Sequence, residues 1–161
     1  MTSRALLSIL MVWSTSVVAQ DQLLATIRQN IGEVFKTDSV CRRMHTEFEK
    51  IDVSKNNLLL GYKGAIELGM GRHDPNVFKK MSWFNDGKEH LEKSIANDPQ
   101  NLELRFLRLT IQTNMPSFLG YGESKQTDKV FVLQNLEKAH SEDFKKRVRN
   151  FIKQAEQDGK L

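Results

Sequence analysis

Apolar residues return at helical intervals along nearly the whole chain, and nowhere do they alternate over the length a strand needs. From Leu24 the series Ile27, Ile31, Val34 and Phe35 marks one face of a helix. Thr37, Asp38 and Ser39 are residue types that accept hydrogen bonds from the free N–H groups at a helix start. A second face follows them in Val40, Met44, Phe48 and Ile51. Asp52 to Asn57 reads as a polar loop. A third helix carries Leu58, Leu59, Tyr62, Ala65, Ile66 and Met70, together with Gly61, Gly64 and Gly69. A glycine inside a helix costs about 1 kcal/mol against alanine. Three in one helix therefore predict a neighbour whose backbone comes close enough to offset the loss. Gly71 to Asp74 breaks the pattern. Asp74 is then placed to cap, and Pro75 to open, the next helix. Val77, Met81, Phe84, Leu91 and Ile95 share one face of that helix, which ends at Asn97-Asp98-Pro99.

A fifth helix from about Asn101 is apolar on most sides, with Leu102, Leu104, Phe106, Leu107, Leu109 and Ile111. It is expected to be the central, most buried element. Met115 to Asp128, with Pro116, Gly120 and Gly122, is expected to be a loop. Two helices close the chain near Lys129–His140 and Glu142–Gln157, the last capped by Ser141 with Glu142 and Asp143 in its first turn. The expectation is an all-α fold of about seven helices. Antiparallel pairs would form either a right-handed array like that of tetratricopeptide repeats or an irregular bundle.

The first residues add a second message. Arg4 precedes the apolar run Ala5-Leu6-Leu7-Ser8-Ile9-Leu10-Met11-Val12-Trp13, and Val17-Val18-Ala19 places small residues where a signal peptidase reads. This order is that of a secretory leader, cleaved after Ala19. The run is too short to span about 30 Å of bilayer as a helix. No cysteine follows the leader, so a bacterial lipid anchor is not expected. The domain boundaries are then 1–19 for the leader and 20–161 for a single helical domain. The location would be periplasmic or secreted, with no membrane span after cleavage. A domain of this length buries roughly two-thirds of its unfolded surface, enough to fold without a metal or disulfide. The lone Cys41 fits that reading, because no disulfide within the chain is possible.

The net charge of +4 is a small excess of 24 basic over 20 acidic residues. Much of it sits in Lys145, Lys146, Arg147, Arg149 and Lys153, interleaved with Phe144, Val148, Phe151 and Ile152 at helical spacing. That interleaving reads as the solvated side of an amphipathic helix, not as a nucleic-acid or acidic-lipid patch.

The stretch Phe84–Asn101 resembles the second helix of a tetratricopeptide repeat. Gly87, Leu91, Ser94 and Pro99 stand where that motif places a small, a large apolar, a small residue and a proline. The preceding helix departs from the motif, because Gly71 to Pro75 falls where it should run, so the resemblance covers half of one repeat. Leu60–Met70 and Pro75–Tyr121 are also similar to segments of small exported bacterial proteins with this helical layout and no assigned activity. The resemblance implies a fold and no chemistry. Leu60-Gly61-Tyr62 recurs as Leu119-Gly120-Tyr121, too short an echo to establish duplication.

Known catalytic patterns are missing from the sequence. There is no His-Glu-x-x-His, no Gly-x-Ser-x-Gly and no glycine-rich phosphate loop. Glu137 and His140 share a helix face, but a bundle metal site needs a second such pair and two further glutamates. Cys41 and His45, four apart, lack a third group to position them. No catalytic residue, metal ligand or cofactor is therefore expected.

Two constellations remain. Arg105 and Arg108 share a face of the most apolar helix. They either pair with acids such as Glu67 or Glu92, or line a groove and hold a carboxylate or phosphate. The loop Met115–Tyr121 is too apolar for a plain surface turn. It either plugs the core or presents Phe118 and Tyr121 to a partner. The favoured function is a helical binding or scaffold module for a peptide or protein. The alternatives are a small hydrolase or metal-dependent enzyme with an unrecognised site, and an assembly protein without a ligand.

Overall fold

A computed structural model of the chain describes the backbone from Ser3 to Leu161 and side chains from Val18 onward. The expected leader, residues 1–19, falls largely outside those described side chains. Seven helices follow in order: α1 (Ser3–Val34), α2 (Asp38–Glu49), α3 (Asn57–His73), α4 (Val77–Asn97), α5 (Leu102–Asn114), α6 (Lys125–Asn135) and α7 (Glu142–Gln157). Short 3-10 turns stand at Ser117–Leu119 and Leu136–Lys138. There is no strand among the described residues, so the all-α expectation holds. No described helix is long and apolar enough to cross a membrane.

The helix starts are set by polar side chains. Asn56 accepts from Leu59 N–H, Asn101 from Glu103 and Leu104 N–H, and Ser141 from Phe144 N–H, each satisfying amide groups that have no partner within the helix. At α4 the expected start moves. Asn76, not Asp74, is the cap and accepts from Phe78 and Lys79 N–H, while Asp74 accepts from Asn76 N–H at 2.9 Å. Pro75 lies outside the helix.

The most buried element is α3, not α5. Eleven of its seventeen residues are buried. Its glycines are the reason. A Cβ built on Gly64 would stand 2.5 Å from the Gly87 carbonyl oxygen and 2.7 Å from the Leu91 nitrogen, and one on Gly87 would stand 2.6 Å from the Gly64 oxygen. Gly61 meets Ser94 and Leu104, and Gly71 meets Lys80 and Trp83. As numbers rise along α3 they fall along α4, so the two helices run antiparallel with their backbones nearly in contact. The predicted close approach of backbones is thus present at Gly64, whereas Gly61 makes room for the side chains of Ser94 and Leu104. Gly69 faces the other way, towards Val34 and Cys41. The helix also continues through Gly71 to His73, whose Nε2 lies 2.8 Å from the Val34 oxygen. The expected break comes later because Gly71 serves the α4 contact.

The core has two parts. The larger holds Leu23, Ile27, Val34, Cys41, Met44, Phe48, Leu59, Ile66 and Leu91, among others, from α1 to α4. The smaller holds Leu109, Val132, Leu136, Val148 and Ile152. Helix α5 joins them: Leu104, Leu107 and Ile111 face the first, Leu109 the second, and Leu102 and Phe106 pack on the second. Burying one such aliphatic side chain contributes about 1.5–3 kcal/mol.

Candidate functional site

The third side of α5 is charged. Arg105, Arg108 and Gln112 stand in one row on it, at helical spacing. Arg108 donates through Nε to Asp128 Oδ2 at 2.7 Å, through Nη2 to Asp128 Oδ1 at 2.9 Å and through Nη1 to Glu92 Oε2 at 2.5 Å. Arg105 Nε donates to the same Asp128 Oδ1, and its guanidinium lies 4.6 Å over the Phe131 ring. Asp128 is wholly buried. Its carboxylate therefore sits between two cations, and all parties are hydrogen bonded, which is the condition under which a buried charge is tolerated. Burial works against the Arg108 charge, but Asp128 and Glu92 more than offset it and raise its pKa. Of the two readings of Arg105 and Arg108, the geometry matches internal pairing, with Glu92 as expected and with Asp128 in place of Glu67.

Asp128 was hidden from the sequence because it fell in the expected loop. Helix α6 begins at Lys125, four residues early, and puts Asp128 in its first turn.

Glu92 carries the network outward. Its Oε1 accepts from Tyr121 OH at 2.6 Å. Burial, then this hydrogen bond to a carboxylate, holds the Tyr121 phenol well above its ordinary pKa. The ring packs edge-on against Phe84 at 6.1 Å. One residue earlier, Gly120 adopts φ 62°, and its N–H bonds to the Ser117 oxygen. That left-handed turn reverses the chain, so that Tyr121 is buried and Phe118 is 85% exposed. The loop thus folds back onto the core through Tyr121 and leaves Phe118 in solvent.

The same chemistry recurs at the other Leu-Gly-Tyr triplet. Tyr62 OH donates to Glu103 Oε1 at 2.6 Å, and Arg28 grips that carboxylate with two hydrogen bonds of 2.7 and 2.6 Å. The backbones differ, since Gly61 is helical and Gly120 left-handed, so the echo is one of side-chain chemistry.

With its inner end tied down by Tyr121, the segment Met115–Leu119 forms one wall of a groove of about 800 Å³. The other walls are the end of α1 (Ile31, Gly32, Phe35), α3 (Leu68, Gly71), the start of α4 (Val77, Met81, Phe84) and α5 (Ile111). The lining is mostly apolar. At its edge Val77, Met81 and Phe118 are among the most exposed large apolar side chains of the molecule. A groove of this volume is within the range of ligand pockets. Of the four sequence-predicted site residues, only Phe118 lines it. Tyr121 braces the wall from behind, and Arg105 and Arg108 hold the brace. Val77 and Met81, which the sequence places only on the same helix face as Leu91 and Ile95, also line the groove.

Other chemistry-bearing residues are dispersed. Cys41 donates to the Ile66 oxygen at 3.6 Å, and burial pushes its thiol up to about 12. His45 packs edge-on against Trp83 at 5.1 Å, so Cys41 and His45 do not form a pair. Glu67 and His90 are joined at 2.6 Å, with Lys63 at 3.8 Å. Glu137 pairs with Arg149 and Lys145, leaving His140 exposed beside them. No three His, Cys, Asp or Glu side chains converge as metal ligands among the described residues. In comparisons with protein-family models, with curated protein sequences and with solved structures, nothing matches the chain.

Proposed function

We propose that this protein is an exported helical module that binds, without catalysis, the apolar side of a peptide or protein partner in the groove between α1, α3, α4, α5 and the Met115–Leu119 segment. The observation that carries the reading is the groove itself, with Val77, Met81 and Phe118 exposed at its edge. Leaving large apolar groups in water is unfavourable by roughly 25 cal/mol per Å², and a partner that covers them recovers that energy. An amphipathic helix with apolar residues at i, i+3 or i+4, and i+7 is the kind of segment such a groove accepts. The Tyr121–Glu92–Arg108–Asp128 chain supports the reading as well, since it holds one wall in place before anything binds.

Export rests on the leader pattern. Cleavage after Ala19 would keep Leu23, Ile27 and Val34, the α1 residues buried in the core. The new first residue, Gln20, donates to the Asp52 oxygen at 3.2 Å and accepts from Asn56 Nδ2 at 3.3 Å. N-terminal sequencing of protein from the envelope or medium should start at Gln20.

The binding reading is tested with a synthetic amphipathic helical peptide whose polar positions are all glutamine. Amide resonances of Gly32, Gly71, Met81 and Phe118 should shift on titration. Met81→Asp with Phe118→Asp should abolish the shifts and leave the melting temperature unchanged. Absence of any binding by the native protein would refute the reading.

A further inference from the structure

We infer that the segment received by this groove is an acidic amphipathic helix, one whose flanks beside the apolar stripe carry Asp or Glu. The inference rests on the binding reading above and adds the partner's charge. Three of the residues lining the groove are cations, Lys36, Arg72 and Lys80, and none of the lining residues is an acid among the described residues. All three are exposed. Lys36 has a nearby acid in Glu33, at 3.0 Å in an open i,i+3 pair. Arg72 and Lys80 make no ion pair among the described residues.

Elsewhere cations and acids are interspersed, and several of the cations are closely paired. Arg28, Arg42, Arg105, Arg108, Lys129, Lys145 and Arg149 all reach carboxylates. The groove mouth is thus a local excess of positive charge around an apolar floor. A low-dielectric wall strengthens the field of such charges and selects partners of opposite sign.

The arrangement also favours a peptide over a lipid. The three cations come from three places, Lys36 after the end of α1, Arg72 in the last turn of α3 and Lys80 in the first turn of α4. A single-chain lipid brings one head group and can satisfy one side of the mouth. A helix with acids on both edges of its apolar stripe brings several charges at once, spaced along the element that fills the floor.

The test compares three synthetic helical peptides with one apolar stripe and Glu, Gln or Lys at the flanking positions, by fluorescence anisotropy on the native protein. The Glu peptide should bind on the order of tenfold more tightly than the Lys peptide at low salt, as a few exposed ion pairs allow. The gap should close as salt is raised. Lys36→Glu, Arg72→Glu and Lys80→Glu together should reverse the order, with circular dichroism unchanged because the three side chains are exposed. Single Arg72→Gln and Lys80→Gln variants, each weakening the Glu peptide alone, serve if the triple variant does not fold. Equal binding of the Glu and Lys peptides, or displacement of the Glu peptide by palmitate at lower concentration than by unlabelled peptide, overturns the inference. So does sedimentation showing that the groove is closed by a second copy of the chain. Failure of the Gln peptide to bind strikes the binding reading, whereas Gln binding without Glu preference strikes only the charge.

Discussion

The α3–α4 seam and the α5–α6 seam hold helices together by opposite means. Between α3 and α4, side chains are removed at Gly64 and Gly87 so that backbone meets backbone. The seam's energy comes from dispersion and close packing, and it has no tolerance for added atoms. Between α5 and α6 a wholly buried carboxylate, Asp128, is gripped by two guanidinium groups. There the apolar contacts of Leu109, Val132 and Leu136 surround charges that are tolerated only because they are matched, and the seam has no tolerance for a missing partner. A packed seam therefore fails by excess and a charged seam by deficit.

The largest effect should follow from removing the shared acid. Asp128→Ala leaves Arg105 and Arg108 facing each other in a dry interior and should cost about 3–5 kcal/mol, read from urea unfolding. Replacing all three by apolar residues, Arg105→Met with Arg108→Met and Asp128→Leu, should cost much less than the single change, because the one charge that loses its partner, Glu92, is partly exposed and keeps the Tyr121 hydrogen bond. A triple variant as unstable as Asp128→Ala would mean that the ion pairs themselves carry the seam. On the packed side, Gly64→Ala should lose about 1–3 kcal/mol, since its methyl group meets Gly87 and Leu91 backbone that cannot move aside. Helix propensity alone would make this substitution favourable, so a gain in melting temperature would show that the two helices can separate at little cost.

Tyr121→Phe tests the link between the charged network and the groove wall. It should cost about 1–2 kcal/mol at neutral pH for a lost hydrogen bond to a charged group. It should also alter the alkaline limb of stability. The folded phenols of Tyr62 and Tyr121 are both raised, by burial first and then by Glu103 and Glu92. An unfolded phenol ionises near pH ~10. Below that pH both states keep the proton and the contribution is constant. Above it the unfolded chain loses protons that the folded chain retains, so stability falls as pH rises. Tyr121→Phe should make that fall shallower. The smallest effect belongs to Gly32→Ala, at an exposed helical site where a Cβ meets nothing within 4 Å. It should raise stability by up to about 1 kcal/mol.

The helices were readable because their causes are local. Caps at Asn101 and Ser141, the stop at Asn97-Asp98-Pro99 and the limits of α7 all follow from residues within a turn of the boundary. What sequence reasoning missed is non-local. That α3 outranks α5 in burial depends on how many helices its glycines admit, a property of the neighbours. The early start of α6 depends on two arginines 20 and 23 residues upstream that make a buried Asp128 tolerable. At the site, Phe118 stood out as an apolar residue in a loop rich in turn formers. Val77 and Met81 did not, because helical periodicity says which residues share a face and not whether anything covers that face.

Cys41 turns the larger core into its own clock. The side chain is completely covered, and its thiol is pushed up to about 12, so a thiol reagent at neutral pH meets neither access nor a reactive thiolate in the closed state. Labelling requires an excursion that frees α2 from α1 and α3. Its rate then measures how often those helices part. If the rate tracks denaturant with the full slope of global unfolding, the first three helices open only with the whole molecule. If it is flat, they breathe alone, and the end of α1 that lines the groove breathes with them.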